Sequence, residues 1–427
     1  MKFPPAVKGT RDFYPAELRL RNWLFDVWRE TSRQFGFEEY DACVLEYEEL
    51  YTRKAGEEIA DQLYSFQDRG GRRIALRPEM TPTLARMVFQ KRTSTPLPLK
   101  WFSIPQCFRY ERMTRGRKRE HYQWNLDVVG PPDLEAEVEV LSALTMALER
   151  IGLGATQVEL RLSDRNILNA LLAKMEVPPA KQAPAMIAID KREKIAPEAL
   201  DELLAETGLN ARQVKGINEF FEAAGDGLPG VEKLLGDRAG ATGNLKQLTG
   251  LLERIGLGDY VTLDCTIVRG LAYYTGTVFE VRDRAAKLRA VCGGGRYALT
   301  LDPARDDAIS AVGFGFGDVV ILELLADLHL LPELADRVDY AVIPFSQEQS
   351  AAGLEVAQRL RRAGFRVKAD FSERKFPKKL QLASDMGAAQ AVLLMPDELA
   401  RGQAVVRDME RRSETRVSLA DLPPSRS

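Results

Sequence analysis

Apolar residues recur at helical spacing between Ala16 and Phe35. Leu20, Leu24, Val27, Trp28 and Phe35 share one stripe, and Gly36 follows, which predicts a long helix stopped by a glycine. The period then shortens, with strand-like runs near Cys43–Leu45, Ile74–Leu76, Trp101–Phe108 and Leu126–Val129. Pro131 opens a second predicted helix, with Leu141, Leu144, Leu148 and Ile151 on one face and Gly152 and Gly154 at its end. In TQVELRL, Val158, Leu160 and Leu162 alternate as in a half-buried strand. Strands joined by hairpins and flanked by helices predict an α+β domain on an antiparallel sheet.

From about Arg165 to Gly258, β-branched alternation nearly vanishes and Ala, Leu, Glu and Lys dominate. Leu245, Leu248, Leu252 and Ile255 form a helical stripe there, so 165–258 reads as a helical insertion. Strands resume with VTLDCTIVRG (261–270) and GTVFEVRD (276–283). CGGGRY (292–297) reads as a glycine-rich turn and GFGFGDVVILELL (313–325) as a return to helix. Beyond Pro332, strand-like and helical runs alternate (339–345, a helix through Ala363, 366–371, Pro377 to Met386, 388–395), the signature of a small parallel α/β domain. The predicted organisation is 1–164 with 259–330 as one discontinuous domain, 165–258 as the insertion and 331–427 as the last domain.

A chain of 427 residues, 45% hydrophobic and 29% charged, can build two or three domains with real cores. Its net charge of −2 gives no basic field over the whole molecule, so any contact with nucleic acid must come from local patches. Cys43, Cys107, Cys265 and Cys292 lie far apart, with no CxxC pair, and read as reduced, mostly buried thiols rather than metal ligands. MKFPPAVKGTRDFYP has no apolar signal core and no run of 18 apolar residues occurs, so a cytoplasmic protein without a membrane span is expected.

Charge is concentrated in QCFRYERMTRGRKREHYQWNLD (106–127). Between Arg109 and Arg119 stand Arg109, Arg112, Arg115, Arg117, Lys118 and Arg119 against one acid, Glu111. Guanidinium forks bind phosphate bidentately, so a hairpin carrying them suits a polyphosphate. The wording FRYE, a glycine within the basic run, and a Gln and an Asp four apart on the return arm resembles motif 2 of class II aminoacyl-tRNA synthetases, in the histidyl form. LRPEMTPTLAR (76–86) and VRGLAYYTGTVFE (268–280) are similar to further histidyl stretches. The resemblance runs from KGTRD at 8–12 into the last domain.

That resemblance implies a histidine–tRNA ligase with a class II antiparallel sheet, a helical insertion that clamps the acceptor arm, and an anticodon-binding tail. It implies ATP, brought as a magnesium complex, as a substrate beside histidine and histidine tRNA, with no tightly bound metal, and a homodimer. By position, Arg109, Glu111, Arg117 and Arg269 match the ATP-binding set, with Arg109 and Arg269 on the α-phosphate as catalytic residues. Glu79, Thr81 and Gln123 match those that receive the α-ammonium. Asp127 and Tyr274, with Tyr273 beside them, match those around the imidazole, and Gly294 and Gly295 match pocket backbone. Arg374, Lys375, Lys378 and Lys379 are candidate tRNA contacts.

Three positions depart from the family wording. Cys43 stands where motif 1 carries proline, and Ala272 replaces the aspartate of RGLDYY. Val320 stands where motif 3, GFxxGxER, brings an arginine to ATP. Losing one charge-assisted contact of that kind costs about 1.5–3 kcal/mol, so either another cation substitutes or nucleotide binding suffers. Val320 also leaves open a synthetase-like, histidine-sensing regulatory subunit of ATP phosphoribosyltransferase. Arg109, Arg117, Arg269 and the tail domain argue against it.

Overall fold

The structure is a computed structural model describing residues 3–52, 61–192, 195–267, 274–285, 287–301, 307–334 and 338–422. The chain divides into two compact units, Met1–Pro332 and Glu333–Ser427.

The first unit is organised by β1 (Glu38–Glu39), β2 (Leu45–Tyr47), β3 (Tyr64–Gln67), β4 (Arg73–Leu76), β5 (Leu99–Ser103), β6 (Gln106–Phe108), β7 (Glu120–Val129), β8 (Val158–Asp164), β9 (Val261–Leu263), β10 (Tyr274–Asp283), β11 (Cys292–Leu299) and β12 (Ile309–Gly317). Among the described residues the main sheet runs β1-β5-β7-β12-β11-β10-β8-β9, with β6 on β7. It is antiparallel from β5 to β8, with β1 and β9 added in parallel at the edges. β2, β4 and β3 form a separate antiparallel sheet.

Helices Pro15–Gln34 and Glu135–Arg150 cover one face. Leu24, Trp28, Val140, Leu141 and Leu144 pack there with Trp124, Leu126, Phe314 and Phe316. The helices between Arg165 and Arg254 share this core: Leu171, Leu172, Leu245 and Leu248 join the same buried cluster as Leu160 and Phe279. Two capping interactions mark their starts. The Asp164 carboxylate accepts from the Asn166 N–H, and Asn210 forms a capping box with Gln213.

Several elements differ from the sequence reading. Trp101–Phe108 is two strands, broken between Ser103 and Gln106, where Pro105 has no N–H to pair. The helix after Pro131 begins at Glu135. CGGGRY is not a turn but most of strand β11, and GFGFG is not helical but the end of β12, the helix starting at Asp318. Glycine was taken as a breaker in CGGGRY. Its use here is the close approach of neighbouring chains: a Cβ on Gly294 would lie 2.1 Å from the Gly313 carbonyl oxygen, and one on Gly295 2.4 Å from that of Thr277.

In the second unit, β13 (Val338–Pro344), β14 (Val367–Ala369), β15 (Ala388–Leu394), β16 (Gln403–Asp408) and β17 (Glu414–Ser418) are ordered β14-β13-β15-β16-β17. The first three are parallel, as the alternation predicts. β16 and β17 add an antiparallel hairpin that the pattern did not reveal, making the sheet mixed. Helices Ser350–Arg362 and Phe376–Asp385 pack on this sheet through Val356, Leu360 and Ala383.

Candidate active site

Strand β7 sorts its residues by parity. Trp124, Leu126 and Val128 enter the main core, while His121, Gln123, Asn125 and Asp127 share the opposite face. Across from them on β12, Gly313, Gly315 and Gly317 pair with Asp127, Asn125 and Gln123, and Phe314 and Phe316 take the core side. These glycines make room for polar side chains. A Cβ on Gly313 would sit 2.1 Å from Asp127 Oδ1, and one on Gly315 2.1 Å from Gln123 Nε2.

Asp127 is only 6% exposed and accepts a hydrogen bond of 2.7 Å from the Tyr297 hydroxyl. Burial pushes its pKa up to about 7, against the smaller lowering effect of that bond. Tyr297 lies opposite Tyr274 in the β10–β11 pairing, and both are buried with Leu84 and Ile309. Gly295 faces Tyr274, whose Cδ1 would be 2.9 Å from an added Cβ. Gly294 faces the other way, toward Phe279 Cζ at 2.7 Å. Gln123 donates to Asn125 Oδ1 at 2.8 Å, and its Oε1 lies 3.4 Å from His121 Nε2. Burial first, then the positive field of Arg109, pushes His121 down to about 3, so its ring is neutral at physiological pH.

Arg109 lies at the other end of this row. Its N–H donates to the Arg119 carbonyl at 2.9 Å, and its Nε donates to the Pro78 carbonyl at 2.8 Å. The second bond ties it to the loop that carries buried Glu79 and ends at Thr81, the first residue of helix Thr81–Lys91. Arg117 Nε is 2.9 Å from Glu111 Oε2. Arg109, Glu111, Arg117, Glu79 and Thr81 are thus brought to one region, next to the Gln123–Asp127 row.

The remaining basic residues of the hairpin differ in use. Arg115 is ion-paired with Asp327 at 2.6 Å and Glu323 at 3.2 Å on helix Asp318–Asp327. Arg119 lies 3.9 Å over the Tyr110 ring and packs against Gly9, whose φ of +91° and lack of a Cβ admit it. Arg112 is exposed.

Arg269, Tyr273 and Ala272 lie outside the described residues. Tyr297, His121, Arg289 and Arg11 were not singled out from sequence. Tyr297 carried a signal, ending the CGGGRY stretch, and Arg289 stands just before it. Arg11 belongs to KGTRD. It binds Glu120 at 3.1 Å and Asp318 at 2.9 Å, and Asp318 accepts the Tyr122 N–H at 2.9 Å, locking the start of β7 to helix Asp318–Asp327. Val320 is buried in that helix, its Cγ2 3.3 Å from where a Cβ on Gly116 would lie.

In the second unit Arg374, Lys375 and Lys378 are exposed around the start of helix Phe376–Asp385. Lys379 is not on that surface. It is 3% exposed, and its ammonium donates to the Pro344 carbonyl at 3.2 Å, because its helix position faces the sheet. Among the described residues no group of three His, Cys, Asp or Glu side chains is arranged to hold a metal, and no helix is long and apolar enough to cross a membrane.

A family model described as histidyl-tRNA synthetase matches residues 9–317, and one described as an anticodon binding domain matches 339–424. The chain is 45% identical to the chloroplastic/mitochondrial histidine–tRNA ligase of Arabidopsis thaliana, over 98% of this chain and 85% of that one. It is 41% identical to the histidine–tRNA ligase of Opitutus terrae, over 96% and 95%. Two solved structures share the fold. A histidyl-tRNA synthetase from a Nostoc species superposes with a TM-score of 0.78 at 24% identity, covering 99% of this chain and 98% of that one. A protein from Bacillus halodurans described as an ATP phosphoribosyltransferase regulatory subunit/histidyl-tRNA synthetase gives 0.71 at 23%, covering 87% and 94%.

Proposed function

Because the chain belongs to the histidyl-tRNA synthetase family, we propose that it uses ATP to convert histidine to histidyl-adenylate and then transfers histidine to the 3′-terminal adenosine of histidine tRNA. One observation carries this reading: a row of polar side chains ending in buried Asp127, in a slot opened by Gly313 and Gly315, lies beside the arginines of the 106–119 hairpin.

In the first step the carboxylate of histidine attacks the α-phosphorus in line and pyrophosphate leaves. A carboxylate is already a nucleophile at neutral pH, so no general base is needed. The protein must hold two anions together and stabilise charge that builds at phosphorus. Arg109 takes the α-phosphate and the amino-acid carboxylate, assisted by Arg269. Arg117, held by Glu111, takes the outer phosphates. ATP arrives with magnesium, which offsets part of the triphosphate charge. Glu79, Thr81 and Gln123 receive the α-ammonium. Asp127 accepts an imidazole N–H, with Tyr274 and Tyr273 alongside. An amino acid without ring nitrogens would leave buried Asp127 with the Tyr297 bond alone and its remaining acceptor capacity unsatisfied, which disfavours it.

Arg374, Lys375 and Lys378 supply tRNA contacts from the tail, and the helical segment 165–258 grips the acceptor arm. The homodimer is supported by an apolar face on the small sheet, where Leu45, Tyr47 and Phe66 are exposed. The regulatory-subunit reading is disfavoured by the arginine cluster and by the anticodon-binding match at 339–424, neither of which a histidine sensor needs.

Histidine-dependent exchange of pyrophosphate into ATP is the test. Exchange with histidine alone among the amino acids is expected. Histidine binding without exchange would favour the regulator.

A further inference from the structure

Val320 deprives this chain of the arginine that the third motif would bring to ATP. At that place the motif 2 loop folds down onto helix Asp318–Asp327. The Gly116 N–H donates to Glu323 Oε1 at 3.0 Å, Arg115 pairs with Glu323 and Asp327, and Val320 packs beneath Gly116. Gly116 has φ +72° and no side chain. A Cβ there would lie 3.3 Å from Val320 Cγ2, 4.0 Å from Glu323 Oε2 and 4.0 Å from Arg289 Nε. Arg289, from the segment leading into β11, therefore reaches the same glycine that Val320 packs against.

The environment of Arg289 is that of a cation awaiting an anion. Among the described residues it makes no ion pair. The two carboxylates whose fields reach it, Glu111 and Glu323, are already engaged by Arg117 and Arg115. The residue keeps solvent exposure; partial desolvation where its Nε approaches Gly116, followed by repulsion from Arg117 and then Arg109, pushes its pKa down to about 10. It stays protonated at neutral pH, so three guanidinium groups face one another with too few carboxylates between them. Such an arrangement is relieved by a bound polyanion.

We propose that Arg289 is a nucleotide-binding residue that replaces the missing motif 3 arginine, placing its guanidinium on the triphosphate of ATP next to Arg117. The proposal rests on the ligase function given above. It explains how Val320 is tolerated: the cation enters from the β10–β11 connection instead of from the helix.

The test compares the parent protein with Arg289→Ala, Arg289→Gln and Arg289→Lys in histidine-dependent ATP–pyrophosphate exchange. The expected result is a rise of at least tenfold in KM for ATP for the Ala and Gln variants, partial recovery for Lys, and a KM for histidine within twofold of the parent. Inhibition by pyrophosphate should weaken in parallel, whereas inhibition by adenosine should not change. Arg289 is on the surface, and an unaltered melting temperature checks that the variants fold. If the parent exchanges and Arg289→Ala keeps its ATP KM and pyrophosphate inhibition within twofold, the role of Arg289 is refuted. An equal loss of histidine and ATP affinity also refutes it, as a structural effect. A parent without exchange would refute the ligase function instead, and direct binding of ATP to the parent and to Arg289→Ala would then decide the Arg289 contact separately.

Discussion

The Tyr297 hydroxyl lies 2.7 Å from Asp127 Oδ1, and the two residues belong to β11 and β7, strands separated in the sheet by β12. Neighbouring strands are about 4.8 Å apart, so the two side chains together bridge two strand spacings. They pass over β12 at Gly313, where a side chain would collide with Asp127. Three positions far apart in the chain thus define one polar point in an apolar wall.

Asp127 should confer a pH dependence on histidine use. Its pKa is raised from an ordinary 3.8 to about 7, so the carboxylate that accepts the imidazole N–H is lost as pH falls through 7. Tyr297→Phe removes a bond that lowers this pKa, so the acid limb of kcat/KM for histidine should move to higher pH. Comparing the two proteins cancels the titration of free histidine, and identical acid limbs would remove Asp127 from the pocket.

The same shift has a stability consequence of opposite sense to that of a salt-bridged acid. A folded-state pKa above the unfolded one means that stability is lost as pH rises from about 4 to 7. Asp127→Asn should therefore gain in relative melting temperature between pH 5 and pH 8 while its KM for histidine rises. A pH-independent difference in melting temperature would contradict the assignment.

The glycines of β11 and β12 should separate function from folding. Alanine at Gly315 meets only the Gln123 side chain, which can swing away, so the fold should survive while histidine KM rises roughly tenfold, about 1.4 kcal/mol. Alanine at Gly294 meets the Gly313 carbonyl at 2.1 Å, which cannot move without parting β11 from β12, and should destabilise the protein by about 1–3 kcal/mol or more. Denaturant unfolding beside exchange kinetics distinguishes the two.

Glu111→Gln should loosen Arg117, whose Nε it holds at 2.9 Å, and raise the KM for ATP with little effect on that for histidine. An unchanged ATP KM in the exchange assay would show that Arg117 is positioned by other contacts.

Arg11→Met should be costly, since it leaves Glu120 (1% exposed) and Asp318 (0%) buried without their cation. Removing one partner of a buried pair costs roughly 3–5 kcal/mol. Burial already raises the pKa of Asp318 against the lowering effect of Arg11, so without Arg11 it would resist ionisation further, and the deficit in melting temperature should shrink as pH falls from 8 to 5. A deficit that grew on acidification would exclude this account.

Much was legible without coordinates where the information is local. Helical periodicity located the helix Pro15–Gln34 within one residue at each end, and Val158, Leu160 and Leu162 marked β8 by alternation. The FRYE and QWNLD wording led to the family, to which the chain does belong. CGGGRY was misread because glycine marks a turn by its freedom in φ and a packed strand by its missing side chain, and only the neighbours distinguish these uses. Those neighbours are remote in the chain: Gly313 answers to Asp127, Gly294 to Phe279, Gly116 to Val320.

Charge divided in the same way. Composition showed that the hairpin is basic, but which of its arginines are neutralised depends on the acids that folding brings to them. Arg115 lost its availability to Glu323 and Asp327, and Lys379 turned inward to a carbonyl. Arg289, with no motif to mark it, arrived near Gly116 and in the field of Arg117 from the connection between β10 and β11. Periodicity and motif wording are properties of adjacent residues. Pairing, burial and field strength depend on distances in space, which the fold alone supplies.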